Sequence, residues 1–178
     1  VLVVGMTGAG KTSAARRIAA RIDAPFHEMD ALAIGPGWST PPDLVHSVES
    51  IVAGPSWVFD SFGYEQVRDV MWAAADTIIW LDYPARVIFA RVLRRSLHRT
   101  LHRTEVFGGN IETWRSWLSS DHPVWWAMRQ VRTRRTYLAR RTQSVGAAHL
   151  RTVRLVSPGE FERWLARQPG TTGGPEPL

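Results

Sequence analysis

Gly5-Met6-Thr7-Gly8-Ala9-Gly10-Lys11-Thr12 sets two glycines, a lysine and a threonine at the spacing G-x-x-x-x-G-K-T. In such a loop the backbone N–H groups can turn toward phosphate oxygens, because no side chain blocks them at the glycines. A helix opening at Lys11 would add the positive end of its dipole. The Lys11 ammonium can reach β- and γ-phosphates, and the Thr12 hydroxyl can bind magnesium. Gly5, Thr7, Gly8, Ala9, Gly10, Lys11, Thr12 and Ser13 are therefore the expected contacts for a nucleoside triphosphate.

Two carboxylates extend this chemistry. Asp60 closes the apolar run Trp57-Val58-Phe59. A carboxylate there can hold Mg²⁺ together with Thr12, and the competing reading is a cap on the following turn. Asp30 follows a second short apolar stretch. It can take a proton from an acceptor hydroxyl or orient the acceptor, and the competing reading is again a cap. Asp82, two residues before Pro84, is read as a helix N-cap. His27, on a strand, is read as structural.

Arginine carries almost all the positive charge. The chain has 22 basic and 16 acidic residues, a net charge of +6, and Lys11 is its single lysine. Thirteen arginines lie between positions 86 and 141, against Glu105, Glu112 and Asp121. Arg91, Arg95, Arg99 and Arg103 recur every four residues and share one helical face. Such a face suits a lid that closes on phosphates, and Arg95 and Arg99 are the candidates to neutralise transition-state charge. Arg129, Arg132 and Arg135 form a second stripe. Solvated helix faces account for most of the other arginines.

The elements that must position these groups are legible from periodicity. Val1–Val4 is a continuous apolar run, as befits a strand buried on both faces. Helix is expected over 11–22, strand over 25–28 ending at Met29-Asp30, and helix from a Thr40/Asp43 capping box to about Ala53. Strand 57–60, helix 64–75, strand 77–81 and a helix from Asp82-Tyr83-Pro84 to about His102 follow. A Gly-Gly-Asn loop at 108–110 precedes helical segments at 111–119 and 123–142. Strand 150–156 and a helix capped by Ser157 and Glu160 close the series. Alternating strands and helices imply a parallel sheet covered on both faces, with ligands at the carboxyl ends of its strands. Gly5, Asp30, Asp60 and Asp82 all fall at that edge. Trp57, Trp72, Trp80 and Trp164 read as core, whereas Trp38, Trp125 and Trp126 are candidates to line an acceptor pocket.

The bulk composition fits one globular domain over residues 1–167, with a lid at about 95–122 and a disordered tail over 168–178. Hydrophobic residues make up 44 % and there is no cysteine, which excludes disulfides and thiolate chemistry. No apolar run approaches the roughly 20 residues that span a bilayer, and no signal peptide is visible. A cytoplasmic location is expected. Val1 already reads as strand, so a few residues are expected to precede it.

The loop, His27-Glu28-Met29-Asp30-Ala31-Leu32 with Pro36-Gly37-Trp38, and Trp57-Val58-Phe59-Asp60 together resemble an adenylate-kinase-like P-loop family. The likeness continues through Ala75–Pro84, the arginine helix and Gly109-Asn110-Ile111-Glu112-Thr113-Trp114. It is to bacterial proteins described as adenylate kinases or DNA topology modulation proteins. The resemblance implies an α/β fold with a five-stranded parallel sheet in the order 2-3-1-4-5, helices on both faces and a helical lid. It also implies ATP with Mg²⁺. The Asp-Gly-Phe-Pro-Arg run of true adenylate kinases is absent; Ser61-Phe62-Gly63-Tyr64 stands there, with Arg68 as the candidate to replace its arginine. One aspartate follows the second strand and no triple glycine follows the third, unlike shikimate kinases. The expected function is a small-molecule or nucleotide kinase. The rival is a nucleotide-gated, nucleic-acid-associated regulator without turnover, which the positive charge keeps in view.

Overall fold

The computed structural model describes residues 1–102, 105–106, 110–111, 114, 117 and 123–168. Its strands are β1 (Leu2–Gly5), β2 (Phe26–His27), β3 (Val58–Phe59), β4 (Thr77–Leu81), a small pair β5 (Glu105–Val106) and β6 (Asn110–Ile111), and β7 (Arg151–Leu155). Its helices are α1 (Lys11–Ile22), α2 (Met29–Ala33), α3 (Leu44–Val52), α4 (Arg68–Ala74), α5 (Ala85–His102), α6 (Pro123–Thr142) and α7 (Pro158–Ala166).

The main sheet runs β2-β3-β1-β4-β7, all parallel, while β5 and β6 pair antiparallel outside it. Since β5 and β6 lie outside, β7 is the fifth strand of the expected 2-3-1-4-5 order. Leu2 to Gly5 pair in register with Ile78 to Leu81, so β1 and β4 form the centre. Successive β1 side chains serve opposite faces, as strand pleating dictates. Val3 packs with Ala15 and Ile18 of α1, Ile88 and Val92 of α5, and Phe161 of α7. Leu2 and Val4 pack with Val48 of α3, Met71 and Trp72 of α4, and Leu138 of α6. The continuous apolar run of β1 reflects this double burial. Truncating Ile79, which is fully buried, would cost about 2–5 kcal/mol.

Several boundaries differ from the expectations. The second strand stops at His27, and Met29-Asp30 opens α2 instead. The Met29 amide donates to Asp60 Oδ1 at 3.0 Å, a bond made across to the end of the neighbouring strand rather than within β2. α3 begins at Leu44 with Asp43 as N-cap residue and no side-chain cap bond, so the Thr40/Asp43 box does not form. α4 begins at Arg68 rather than Tyr64, because Gly63 at φ 87° turns the chain first. Ile111 is strand, not helix, and most of 111–119 lies outside the described residues. At α7 the Ser157 cap forms, its hydroxyl accepting from the Glu160 amide. Residues 169–178 lie outside the described residues, but Gln168 is held, since Arg21 donates to its carbonyl at 2.7 and 3.0 Å. No helix among the described residues is long and apolar enough to cross a membrane.

Candidate active site

The carboxyl ends of β1 and β3 open onto a cleft of about 710 Å³. Thr7, Gly8, Ala9, Gly10, Lys11, Thr12 and Ser13 line it, together with Asp30, Asp60, Arg95 and Arg99. The structure thus gathers the sequence-derived candidates at one place, with a single exception. Gly5 does not line the cleft. It sits in the ladder beneath it, where an added Cβ would meet the Leu81 carbonyl oxygen at 2.6 Å. Its glycine is explained by the close approach of β1 to β4, not by phosphate.

Gly8 has the opposite role. At φ 84° it turns the loop, and an added Cβ would lie 2.4 Å from Val92 Cγ2. The loop therefore packs against α5, and it is closed by the Ala9 amide donating to the Met6 carbonyl at 3.0 Å. Arg91 secures the contact from the same helix: its Nη1 donates to the Ala9 carbonyl at 2.8 Å, and its guanidinium lies 5.5 Å from the Tyr83 ring. The four-residue spacing on α5 explains the arrangement. Ile88, Val92, Ser96 and Thr100 face the interior, which turns Arg91, Arg95 and Arg99 along the cleft. Arg103, the fourth member of the stripe, lies outside the described residues, as does half of the lid expected at 95–122.

Lys11 lies at the base of the cleft, where its ammonium donates to the Met6 carbonyl at 3.3 Å. Desolvation holds its pKa below the usual lysine value; Arg95 and Arg134 add to that, and Asp30 and Asp60 oppose it. A bound polyphosphate would restore the charged form.

Thr12 Oγ1 donates to Asp60 Oδ2 at 2.5 Å, while Oδ1 accepts from the Met29 amide. Asp60 is 7 % exposed, and both partners are neutral donors, so its negative charge stays uncompensated by them. A hydroxyl and a fixed carboxylate are hard oxygen donors that suit Mg²⁺ completed by nucleotide phosphates. Among the described residues no group of three or more His, Cys, Asp or Glu could hold a metal alone.

Asp30 is exposed in the first turn of α2 and accepts from the Tyr64 hydroxyl at 3.0 Å. Burial first, then the charge and hydrogen bond of Asp30, push the Tyr64 phenol well above its usual value. It therefore stays a donor and orients the Asp30 carboxylate.

Asp82 is not the helix cap that its position before Pro84 indicates. Arg135 Nε donates to its Oδ1 at 2.6 Å, and Arg154 donates to its Oδ2 at 2.9 and 2.5 Å. Two residues before it in β4, Trp80 pairs in register with Arg154, which stacks on the Trp80 ring at 4.8 Å. Adjacent strands bring the arginine to the aspartate. His27 packs against Phe59, ring centroids 5.3 Å apart, as a structural residue would.

Trp57, Trp72 and Trp80 are buried, and Trp164 packs beside the core. Trp125 is 43 % exposed and does not line the cleft; the side chains of Trp38 and Trp126 lie outside the described residues. Sequence reasoning missed Phe62 and Arg134. Phe62 lines the cleft beside Ser61, and the Arg134 guanidinium lies 4.5 Å from its ring. The departure at Ser61-Phe62 was the available signal for Phe62. Arg134 gives no signal of its own among the six arginines of α6.

No family model matches the chain, and no curated protein matches it. It is similar to a shikimate kinase from Acinetobacter baumannii at 15 % identity and TM-score 0.55, covering 93 % of this chain and 88 % of that one. A shikimate kinase from Bacteroides thetaiotaomicron aligns over 93 % of both chains at 13 % identity and TM-score 0.52. A gluconokinase from Sinorhizobium meliloti 1021 covers 93 % of this chain and 91 % of that one at 21 % identity and TM-score 0.47. Together with the 2-3-1-4-5 parallel sheet and the glycine loop after its first strand, the likenesses to the two shikimate kinases show that the chain has the P-loop NTPase α/β fold.

Proposed function

We propose that the cleft transfers the γ-phosphoryl group of Mg-ATP to a hydroxyl of a small acceptor. The observation that carries this reading is the convergence of the Lys11 loop, the Thr12–Asp60 pair, Asp30 and three α5 arginines on one cleft. The kinase titles of the structural neighbours agree with it.

In this reading the acceptor oxygen bonds to the γ-phosphorus as the bond from that phosphorus to the β–γ bridging oxygen breaks. ADP leaves with the electron pair, and the hydroxyl proton passes to Asp30. Lys11 and Arg95 or Arg99 spread the charge on the transferring oxygens. Thr12 and Asp60 would hold Mg²⁺, which supplies charge neutralisation at the phosphates. Tyr64 positions Asp30, and Arg91 holds the loop in shape. The adenylate-kinase-like resemblance adds nucleotides to the acceptors worth testing.

Arg91, Arg95 and Arg99 turn into the cleft, and Arg135, Arg141 and Arg154 bind Asp82 and Asp69. These arginines are thereby drawn away from a nucleic-acid face. The test is ADP release from Mg-ATP with and without nucleoside monophosphates and hydroxylated metabolites. Acceptor-stimulated release that disappears in Lys11→Ala supports the kinase. Tight Mg-ATP binding with no stimulation by any acceptor would favour the nucleotide-gated regulator, whose DNA retention would fall steeply with salt.

A further inference from the structure

On α5 two rows of side chains face the rest of the protein and a third does not. Ile88, Val92, Ser96 and Thr100 are buried. Arg91, Arg95 and Arg99 line the cleft. Arg94, His98 and His102 are all exposed. At 3.6 residues per turn, His98 points about 160° away from both Ser96 and Thr100, so this third row lies opposite the buried one.

His98 and His102 are one helical turn apart, a spacing that sets two side chains on one face. Their ring centres lie 4.4 Å from each other. The helix preorganises the pair, because its inner row is packed and its last turn is held from inside. There the buried Thr100 hydroxyl accepts from Trp117 Nε1 at 3.0 Å.

Two imidazoles at this separation match what one metal ion requires. Metal–nitrogen bonds of about 2.0–2.1 Å place an ion about 3.2 Å from each ring centre. Two such ligands at a right angle then have centres about 4.5 Å apart, and at the tetrahedral angle about 5.2 Å apart. The 4.4 Å in the structure fits the right angle. Imidazole suits Cu²⁺, Ni²⁺ and Zn²⁺ alike, but right angles belong to the tetragonal arrangements of Cu²⁺ and Ni²⁺. Mg²⁺ takes oxygen ligands, so this pair does not compete with Thr12 and Asp60 for it. Among the described residues no third His, Cys, Asp or Glu joins the pair, and exchangeable water would complete the coordination.

We propose that His98 and His102 form a metal site for a divalent transition ion of the Cu²⁺ or Ni²⁺ type, bridging the last turn of α5. The site is separate from the cleft and independent of the phosphotransfer reading. An ion held by positions 98 and 102 clips the turn that contains Arg99, the last cleft arginine of this helix. Arg94, one turn earlier on the same face, repels a cation and limits the affinity.

Cu²⁺, Ni²⁺, Zn²⁺ and Mg²⁺ are titrated calorimetrically into nucleotide-free protein without a histidine tag, since triphosphates and tags chelate these ions. Cu²⁺ should bind most tightly, Ni²⁺ should bind ahead of Zn²⁺, and Mg²⁺ should not compete. His98→Gln and His102→Gln should each weaken Cu²⁺ binding by about tenfold or more, a loss that even an outer partner of a metal ligand can produce. Glutamine is a good helix former, so both variants should keep the wild-type circular dichroism. Arg94→Gln should tighten binding about twofold to threefold. His46→Gln, exposed on α3, should leave it unchanged.

Amide hydrogen exchange tests the bridge itself. Ni²⁺ should slow exchange over residues 98–102 in the wild type, and His98→Gln should lose that effect. No Cu²⁺ binding to the wild type, or equal affinity in both glutamine variants, would overturn the site. Zn²⁺ bound ahead of Ni²⁺ would overturn the right-angle geometry. Histidine-dependent binding without slowed exchange would overturn the bridge, because the two rings would then hold ions separately.

Discussion

The ends of β3 and β4 flank the central strand, and each carries an aspartate that is 7 % exposed. Asp60 accepts from a hydroxyl and an amide, whereas Asp82 accepts from two guanidinium groups. Neutral donors fix a carboxylate without cancelling its charge. Arginines cancel the charge and tie three elements together. One edge of one sheet therefore holds a site and a structural clamp, and the partner set, not the residue type or burial, separates them.

The largest effect that sharpens this contrast is at the phosphate loop. Lys11→Ala should lower turnover by on the order of 10³-fold with the fold intact, by steady-state kinetics and circular dichroism. Full activity in a folded variant would break the reading of the whole cleft. Asp60→Asn keeps the shape of the side chain and removes the charge; its one oxygen can still accept from the Met29 amide, while its NH2 can donate to Thr12 Oγ1. It should cost about 10–100-fold in activity, partly restored by raised Mg²⁺, with little change in Tm. Asp82→Asn should do the reverse. It leaves two arginines facing an amide and should cost about 2 kcal/mol, or roughly 4–8 °C in Tm, with ATP binding retained. If Asp82→Asn abolished activity without loss of stability, the two ends would not differ as their partners indicate. Arg91→Met removes the tether on the Ala9 carbonyl and should raise the ATP KM by about tenfold, a smaller effect than loss of Lys11.

The smallest effect is a matter of sign. The folded protein holds the Lys11 proton less tightly than the unfolded chain does. Below the lowered folded pKa, the charged lysine therefore costs stability in full. That cost fades as pH rises through the folded pKa toward the unfolded value. Without nucleotide, Lys11→Met should melt slightly above the wild type at neutral pH, and the difference should close in alkaline buffer. A gap that widened with pH would contradict the burial of this charge.

The elements legible in the sequence were those whose signal is long or locally complete. α1, β4 and α6 fall at the expected residues because apolar periodicity or a continuous apolar run specifies each of them. The short strands β2 and β3 came out shorter than their apolar runs. Pairing with a neighbour, not composition, sets how far a ladder extends. Asp30 was read at a strand end and lies on a helix, because the Met29 amide beside it is taken by Asp60 from another strand. Asp82 was read as a cap for the same kind of reason, since Arg135 and Arg154 reach it only after the chain has folded.

The sequence by itself determined the phosphate loop and the topology class. Eight contiguous residues carry the loop's chemistry, and the order of strands and helices constrains how a parallel sheet can be wound. Which arginines face the cleft was decided by tertiary structure. On α5 the four-residue repeat pointed to the face that lines the cleft, whereas on α6 six arginines cover several faces and only packing sets Arg134 against the Phe62 ring. The contact of Arg68 and Arg134 with the Phe62 ring joins residues far apart in the chain, and no local pattern encodes a contact made between a turn and two helices.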